Sequence, residues 1–532
     1  MRVLPAPIVW ALVWLLVAAL GACDRTVPPR EPSQTRFTEA HAARLVPVAC
    51  DYPDEPERRG SVRVRCYKAY LNPSPAHYTR VTVLSPDTDS PRFARHALIS
   101  VPGGPGQGAM TDVYWLNHWL DWYAEEGADT DLVLYDPRGT SGSSSYWSCR
   151  AYAEALARSL AEGASIKQER DIIEPALAPC LEAYDQWLKQ NAQIAEGIFA
   201  LSTEHNAEDL RALITVLDYE RVSLLGTSYG TRVALRAASH QKVHMLLLDS
   251  PYPFQHGTAL DWPHIRQNVL RLHAQQFALR YGGAKGSYGD LREQLRQRLH
   301  ELPVQFRLQH WGNGRYYPFL LTRYRLHDLE LQALYRAEDL SDYYRALLRF
   351  LDGDDGDIQD LLERFLTNAL DGEFSHLVYF ATECNDNRMV SEADFLVASS
   401  EAPLDDINWL DFYHADACLL PIFQRVTSRN SVQAWSYDVG DKPSLIFSGA
   451  LDPVTPAAWA EDLRAALASA RLVSVEHVGH GVLGSGACPW SDILELMATA
   501  STMGELRCGA AEPRVAEPSA ANSISRDAIP AP

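Results

Sequence analysis

The amino-acid sequence predicts an α/β fold with a mostly parallel central sheet that is flanked by helices and carries a large helical insertion. Three observations lead to this prediction. Short apolar runs alternate with helical segments, which is typical of parallel strands covered on both faces. The motif Gly-Thr-Ser-Tyr-Gly at 226–230 lies between such a run and a helix. Residues 256–430 then interrupt the alternation with helical segments before the apolar runs resume.

The strands and helices can be assigned in chain order. The strand-like segments are 62–64, 78–83, 97–101, 132–135, 222–225, 243–249, a run that starts at 444, and 472–475. The first two alternate between apolar and polar residues like antiparallel strands, and the run at 97–101 is continuously apolar like a buried strand. Residues 150–200 are helical, and the amphipathic helix 205–217 leads into the strand before the Gly-Thr-Ser-Tyr-Gly motif.

These elements suggest how the chain is divided. Two segments, 46–255 and 431–510, form the core, and 256–430 form a lid between them that encloses substrate and sets specificity. The polar, proline-bearing residues 23–45 are predicted to be a tether. Residues 511–532, which are rich in Ala, Pro and Ser, are predicted to be a disordered tail.

The composition limits the classes of protein to which the chain can belong. Its 532 residues are enough for a large core with an insertion, and the hydrophobic content of 46% is ordinary for a globular enzyme. The 48 Lys and Arg residues against 68 Asp and Glu residues give a formal net charge of −20. Because phosphate binding needs a basic surface, we expect no nucleic-acid partner.

The N-terminus has the features of an export signal. Arg2 is followed by an apolar run at 8–20 and by Leu-Gly-Ala-Cys at 20–23, a pattern typical of a secretory signal peptide. Leu-Gly-Ala-Cys also resembles the lipobox of bacterial lipoproteins. That resemblance implies that residues 1–22 are removed and that a lipid on Cys23 anchors the protein in the cell envelope, facing the periplasm or the exterior. The alternatives are a plain signal peptide with a chance cysteine, or an uncleaved anchor helix.

The remaining cysteines also fit export. Besides Cys23 there are eight, an even number that suggests disulfides in an oxidising compartment. Pairing of sequence neighbours closes the shortest loops, and we favour it over the other connectivities: Cys50–Cys66, Cys149–Cys180, Cys384–Cys418 and Cys488–Cys508. Zinc is disfavoured because no Cys-x-x-Cys or His-x-x-x-His spacing occurs among these residues.

The Gly-x-Ser-x-Gly motif is predicted to hold a nucleophile. A strand, a sharp turn and a helix are the setting of a nucleophile elbow, in which Ser228 is exposed at the tip of a strained turn. The two glycines fit because the flanks of such a turn pack too closely for a Cβ. The serines at 141 and 143–145 are rivals, but they do not lie in an elbow. The remaining alternative is an ordinary turn between a strand and a helix, capped by a serine.

A second glycine-rich segment, Pro-Gly-Gly-Pro-Gly-Gln-Gly at 102–108, follows the strand 97–101. Glycines let backbone N–H groups approach a substrate oxygen, as an oxyanion hole requires. We predict that the backbone N–H groups of Gly104 and Tyr229 form this hole. The alternatives are a flexible surface loop or a phosphate-binding loop, although no lysine follows in P-loop register.

Two residues near the C-terminus complete a possible triad. Asp452 follows the strand that starts at 444, and His480 lies between glycines after the strand 472–475. The reaction needs a histidine that accepts the serine proton and a carboxylate that orients the histidine. His477 is the rival base, and Asp452 could instead be a simple turn residue, since Asp-Pro is common in turns.

The motifs in this order resemble the α/β-hydrolase branch of prolyl iminopeptidases and tripeptidyl aminopeptidases. The resemblance rests on Gly-Gly-Pro-Gly at 103–106, Asp-Pro-Arg-Gly-Thr-Ser-Gly-Ser at 136–143, and the elbow. It implies the α/β-hydrolase fold, the catalytic triad Ser228, Asp452 and His480, and peptide substrates cut from their free N-termini. Pro102 stands where iminopeptidases usually carry His, which argues against a strict iminopeptidase. We expect Arg138 to brace its loop rather than to contact substrate.

The lid segment Thr-Glu-Cys-Asn-Asp at 382–386 resembles a segment of the tripeptidyl aminopeptidase group and implies that Glu383 and Asp386 bind the substrate ammonium. The structural alternatives are a helix cap for Asp386 and a solvated charge for Glu383.

Two other functions stay open: a carboxylesterase or lipase with the same triad, and a binding lipoprotein without catalysis. The chemistry calls for no metal or organic cofactor.

We expect Cys23→Ser to prevent lipidation and to move the protein from the membrane fraction to a soluble or unprocessed form. Detergent phase partitioning of cells that express each variant measures this shift. If the variant partitions like the wild-type protein, the lipobox prediction is wrong.

Overall fold

The computed structural model describes residues 43–50, 62–71, 76–86, 96–109, 113–126, 130–387, 417–425 and 437–509. The predicted signal at 1–22, the lipidation site Cys23 and the tail 511–532 lie outside these residues. The last two residues of the predicted tether 23–45 are instead the first two residues of a strand that starts at Arg44. No helix in the described ranges is both long and apolar enough to cross a membrane.

The described strands form one large sheet and one hairpin. They are β1 Arg44–Val48, β2 Val62–Tyr70, β3 Thr79–Pro86, β4 His96–Val101, β5 Asp131–Tyr135, β6 Arg221–Thr227, β7 Val243–Asp249, β8 Val304–Gln309, β9 Tyr316–Leu321, β10 Ser444–Gly449 and β11 Ala470–Val475. The large sheet has the order β1-β2-β3-β5-β4-β6-β7-β10-β11. Strands β1, β2, β3 and β5 pair antiparallel, and β5, β4, β6, β7, β10 and β11 pair parallel.

Helices connect the parallel strands and build the lid. They are α1 Val113–Glu126, α2 Arg150–Glu162, α3 Ile166–Gln190, α4 Thr203–Leu217, α5 Gly230–Ala237, α6 Thr258–Tyr281, α7 Tyr288–Glu301, α8 Leu326–Tyr335, α9 Leu340–Leu351, α10 Gly356–Ala369, α11 His376–Asp386, α12 Pro421–Gln424, α13 Ala457–Ala466 and α14 Trp490–Thr499. Short 3₁₀ turns lie at Gly197–Ala200, Arg323–Arg325, Ala337–Asp339 and Leu483–Ser485.

The core lies on both faces of the sheet, as β4 illustrates. Ala97, Ile99 and Val101 pack with α4, α5 and α13 on one face, whereas Leu98 packs with α1 and α14 on the other. Successive side chains of a strand point to opposite faces, so a strand covered on both faces has an uninterrupted apolar run. All six residues of β4 are buried. The predicted α/β fold with a mostly parallel sheet flanked by helices is therefore confirmed.

The described part of the lid, 256–387 and 417–425, has an apolar core of its own, to which Leu160 and Leu451 from outside the lid also contribute. It is mainly helical, but it contains the hairpin β8–β9, which the sequence analysis did not predict. Phe306 and Leu308 alternate with exposed residues, so the period-two signal of a strand is present although short. Two of the lid helices, α8 and α9, are separated by the 3₁₀ turn Ala337–Asp339.

The structure contains four disulfides, and they join the pairs favoured from the sequence: Cys50–Cys66, Cys149–Cys180, Cys384–Cys418 and Cys488–Cys508. The first joins the end of β1 to β2, and the second joins the residue before α2 to α3. The third ties α11 to the residues before α12, and the fourth connects the start of α14 to the chain beyond it. Each disulfide thus links elements that are neighbours in the chain order.

A buried ion pair holds the loop after β5. Arg138 donates from Nε and Nη2 to the two carboxylate oxygens of Asp209 on α4, at 2.8 and 2.7 Å. Its remaining guanidinium contacts go to the backbone oxygens of Ala200 and His205, both at 3.3 Å. Arg138 is 2% exposed, so it braces this loop from inside the protein.

We expect Arg138→Met to lower the free energy of unfolding by about 3–5 kcal/mol, because Asp209 would stay buried without its cation. Urea unfolding followed by circular dichroism measures this loss. The control is Arg158→Met, which breaks the exposed Arg158–Glu162 pair and should cost about 0.5 kcal/mol or less. Equal effects of the two substitutions would contradict the bracing role of Arg138.

Candidate active site

Ser228 lies at the tip of a sharp turn between β6 and α5. Its φ of +55° is in the left-handed region, which costs energy for a residue with a Cβ. A Cβ on Gly226 would lie 2.7 Å from the carbonyl oxygen of Gly230, and a Cβ on Gly230 would lie 2.1 Å from that of Val101. Both glycines of the motif are therefore required by close approach of backbone to backbone, as predicted for a nucleophile elbow.

Hydrogen bonds hold the strained turn on both sides of Ser228. The Ser228 N–H donates to the backbone oxygen of Asp249 at the end of β7, at 2.9 Å. The Ser228 carbonyl accepts from the backbone N–H of Thr231 at 3.0 Å and from its hydroxyl at 2.6 Å. Thr231 Oγ1 in turn accepts from the N–H of Tyr252 at 2.9 Å. Hydrogen bonds to β7, to α5 and to the segment after β7 therefore fix the backbone of Ser228.

The glycine-rich loop 102–108 lies against the elbow. A Cβ on Gly103 would lie 3.2 Å from the Cβ of Ser228, so this loop lies directly against Ser228. Gly104 has a φ of +105°, and a Cβ there would lie 2.7 Å from the backbone nitrogen of Gly106. The loop also contacts the lid, since Gly106 O accepts from Ser375 N at 3.0 Å. The conformation is the kind that an oxyanion loop needs, and the donor roles of Gly104 and Tyr229 stay predictions.

Asp452 and His480 form a buried ion pair at the carboxyl edge of the same sheet. His480 Nδ1 lies 2.9 Å from Asp452 Oδ2, and their side chains are 4% and 0% exposed. Asp452 also accepts from the N–H groups of Val454 at 3.0 Å and Thr455 at 2.8 Å, and from the Thr455 hydroxyl at 2.7 Å. Since Nδ1 is engaged by the carboxylate, Nε2 is the nitrogen that can accept a proton from a nucleophile.

The electrostatics of the pair favour a charged imidazole. Burial opposes the charge on His480, but the carboxylate of Asp452 and, to a smaller extent, that of Asp249 outweigh it and raise the pKa of His480. Burial also works against ionised Asp452, yet His480 and the donors of Thr455 hold its pKa below the ordinary value. A carboxylate that is ionised and an imidazole that readily takes a proton are what general-base catalysis requires.

The lid contacts His480 directly. The backbone N–H of His480 donates to the backbone oxygen of Tyr335 at 3.1 Å. The centroids of the His480 and Tyr335 rings lie 4.6 Å apart. A Cβ on Gly479 would lie 2.2 Å from the carbonyl oxygen of Leu334. The C-terminal end of α8 therefore packs against the loop that carries His480, and glycine at 479 permits the approach.

The rival residues take other roles. His477 is exposed on a turn and has a φ of +60°, whereas His480 contacts Asp452. Ser143 and Ser145 are buried, and Ser145 Oγ lies 3.1 Å from Nε2 of His77. Burial, aided by Arg138, lowers the pKa of His77 to about 4. This buried and neutral Ser-His contact therefore supports the loop after β5.

The predicted amine anchor divides into two residues with different surroundings. Asp386 accepts from the Thr203 N–H with both carboxylate oxygens at 3.0 Å, and from the Thr203 hydroxyl at 2.6 Å. Thr203 is the first residue of α4, so Asp386 satisfies one of the backbone N–H groups left over at a helix start. Burial raises the pKa of Asp386 to about 6. Asp386 thus helps to cap the start of α4, the kind of role given as its structural alternative in the sequence analysis, and its part in binding the substrate ammonium stays a prediction.

Glu383 is buried rather than solvated, with 6% of its surface exposed. Its Oε2 accepts from the Tyr252 hydroxyl at 3.0 Å and from the Asn387 side-chain amide at 2.7 Å. Tyr252 belongs to the segment after β7 whose backbone N–H binds Thr231 below the elbow. Glu383 is therefore joined to the nucleophile turn through Tyr252 and Thr231.

The sequence analysis overlooked two residues that contact the base loop, Asp249 and Tyr335. Asp249 is an acidic residue at the end of a buried strand. It therefore shows the same sequence pattern by which Asp452 was identified. Tyr335 had no local signal, because its position beside His480 depends on how the lid packs. Within the described ranges, no three His, Cys, Asp or Glu residues are grouped so that they could share a metal ion.

Comparisons with known proteins agree with this architecture. The model of a family described as alpha/beta hydrolase fold matches residues 96–487, more than half of the chain. No curated protein sequence matches the chain. Three solved structures are similar to it: a bromoperoxidase from Bacillus anthracis (11% identity, 79% of this chain and 96% of that chain covered, TM-score 0.34), a proline iminopeptidase from Mycobacterium smegmatis (16%, 76% and 89%, 0.31) and an esterase from Exiguobacterium antarcticum (15%, 79% and 95%, 0.28). At these identities and TM-scores the three structures carry no inference about the reaction.

We expect Ser228→Ala to reduce turnover by about 10⁴-fold to 10⁶-fold without unfolding the protein, because alanine keeps the small Cβ that the turn already accommodates. Initial rates and circular dichroism of the purified variant measure both effects. The matched control is Ser144→Ala, whose hydroxyl binds the backbone of Tyr78; it should keep most of the activity. More than a tenth of wild-type activity in Ser228→Ala would show that another group is the nucleophile.

Proposed function

The chain belongs to the α/β-hydrolase family, and on this premise we propose that it is an exported serine peptidase that releases residues or short peptides from free N-termini. The observation that carries the hydrolase part of the proposal is the buried Asp452–His480 pair, together with the strained Ser228 elbow at the same edge of the sheet. The exopeptidase part rests on the sequence motifs and on the buried carboxylate of Glu383.

In the proposed reaction, Ser228 Oγ attacks the carbonyl carbon of the substrate while Nε2 of His480 takes the hydroxyl proton. Asp452 keeps Nδ1 engaged and stabilises the imidazolium. The oxyanion accepts hydrogen bonds from the backbone N–H groups of Gly104 and Tyr229. His480 then gives its proton to the leaving amine, and an acyl-enzyme remains on Ser228. Water attacks this ester with its proton going to His480, which returns the proton to Ser228 as the acid product leaves.

The proposed amine anchor is Glu383. Helix α11, which carries it, contacts the glycine-rich loop near its N-terminal end, where Ser375 binds Gly106. Near its other end, Glu383 accepts from Tyr252. The helix therefore runs along the elbow from the oxyanion loop to the segment after β7. The buried carboxylate of Glu383 on this helix would attract the ammonium of a free N-terminus, because opposite charges interact strongly where water is excluded.

The four disulfides support export, since such bonds persist in oxidising compartments. The proposed anchor at Cys23 would then hold the enzyme at a membrane of the bacterial envelope. There the lid would let the ends of peptide chains reach the active site and would exclude folded proteins.

We expect Glu383→Gln to lower kcat/KM for peptides with a free N-terminus by about 30-fold to several thousand-fold, the effect of removing one member of a desolvated charge pair. Hydrolysis of a short p-nitrophenyl ester needs the triad but no amine anchor, so it should change little. N-acetylated peptides should be poor substrates of the wild-type enzyme. Parallel assays with an aminoacyl arylamide, its acetylated form and the ester measure all three.

The control for this experiment is Asp386→Asn, which weakens the cap of α4. It should lower thermal stability, and any loss of activity should be equal for the three substrates. If Glu383→Gln affects peptide and ester equally, Glu383 supports the lid and the amine anchor is elsewhere. If the wild-type enzyme cleaves acetylated and free peptides alike, the exopeptidase proposal fails and an esterase becomes the better description.

A further inference from the structure

Two consecutive residues at the end of β7, Asp249 and Ser250, contact both the nucleophile and the loop of the base. The backbone oxygen of Asp249 accepts from Ser228 N at 2.9 Å. Its carboxylate accepts from the N–H groups of Val482 at 2.8 Å and Leu483 at 3.0 Å. These two contacts join residues that lie 233 and 234 positions apart in the sequence.

Ser250 extends the same contact. Its hydroxyl accepts from the Gly481 N–H at 2.9 Å, and its own N–H donates to Phe447 on β10 at 2.9 Å. Three successive amides after His480, those of Gly481, Val482 and Leu483, are therefore bound by the side chains of Asp249, the last residue of β7, and of Ser250, which follows it. Ser250 has a φ of +51°, so the chain adopts a strained conformation to present its hydroxyl there.

Binding these amides does not by itself require a charge. Neutral oxygens accept hydrogen bonds from backbone N–H groups, as the Ser250 hydroxyl does one residue away. Asp249 is only 2% exposed, and burying a carboxylate is costly unless other groups compensate. Besides the two amides, the group that favours its charge is His480. The two amides belong to residues that lie two and three positions beyond His480, so the carboxylate is fixed against the loop that carries His480.

The charged and titratable groups that face Asp249 are His480 on the base loop, Asp452 after β10, and the Tyr335 phenol on the lid. Burial raises the pKa of Asp249 to about 6; Asp452 adds to this rise, whereas the two amides and His480 oppose it. In the other direction, Asp249 contributes to the raised pKa of His480. Two carboxylates thus act on one imidazole, Asp452 by direct contact and Asp249 through space.

We propose that Asp249 is a second active-site carboxylate, a positioning residue that holds Ser228 and His480 in register and stabilises the imidazolium formed during acylation. The proposal rests on the serine-hydrolase part of the proposed function and not on the identity of the substrate. It assigns Asp249 no proton transfer and no contact with the reacting atoms.

The consequence for pH dependence follows from the sign of the interaction. A neighbouring negative charge favours the protonated imidazole, so it moves the loss of reactivity toward higher pH. Removal of that charge lowers the pKa of His480, and reactivity then persists to lower pH. The acidic limb of the pH profile is the range in which reactivity is lost because His480 becomes protonated. A residue that only braces the loop would change the rate without moving this acidic limb.

The test uses Asp249→Asn in the full chain, with the rate at which a fluorophosphonate labels Ser228 as the readout. Labelling needs the nucleophile and its base but neither a peptide nor an ester. We expect the plateau rate to fall by about 10-fold to 100-fold, the loss of hydrogen bonds to a charged acceptor. The acidic limb should move to lower pH by about half a unit or more.

The matched control is Ser250→Ala, which removes the neighbouring acceptor without a change in charge. It should slow labelling and leave the acidic limb where the wild-type protein has it. If Asp249→Asn does not yield folded protein by circular dichroism, Asp249→Ser removes the same charge and should shift the limb in the same direction. An unshifted limb in the folded neutral variants, or an equal shift in Ser250→Ala, would overturn the proposal. Absence of labelling in the wild-type protein would instead overturn the serine-hydrolase assignment.

Discussion

The tight turn after β6 is the constraint on which the rest of the structure depends. Backbone meets backbone there at distances that leave no room for a Cβ, between residues 226 and 230 and between Gly230 and Val101. Because Val101 pairs with Gly226 in the sheet, the turn can close only where β4 and β6 are adjacent and parallel. The sheet order therefore determines where Ser228 stands and how close the glycine-rich loop after β4 can come.

The base loop depends on a comparable series of close approaches. A Cβ on Gly449 would lie 2.1 Å from the carbonyl oxygen of Gly479, and a Cβ on Gly479 would meet the end of α8 at 2.2 Å. Strand β10, the loop with His480 and the lid are thus stacked without side chains between them. On this side the position of His480 therefore depends on the lid, since a shift of α8 would displace the backbone that carries His480.

Buried charges in this protein are used in two ways. Arg138 and Asp209 satisfy each other in a bidentate pair away from the reacting atoms, and they hold a loop in place. At the carboxyl edge of the sheet, Asp452 contacts the imidazole of His480, whereas the buried carboxylate of Asp249 binds two backbone N–H groups of the loop that carries His480. Both carboxylates favour the protonated form of His480 and raise its pKa.

The sequence by itself determined the features that depend on local chemistry: the alternation of strands and helices, the elbow at Ser228, and the candidate acid and base at strand ends. Tertiary structure decided the rest. Asp386 is a helix cap because it meets Thr203 from 183 residues away, and Asp249 holds the base loop across 233 residues. The hairpin β8–β9 and the contact of Tyr335 with His480 depend on lid packing. Motifs encode the geometry of a few neighbouring residues, whereas these contacts arise from how the sheet brings distant segments to one edge.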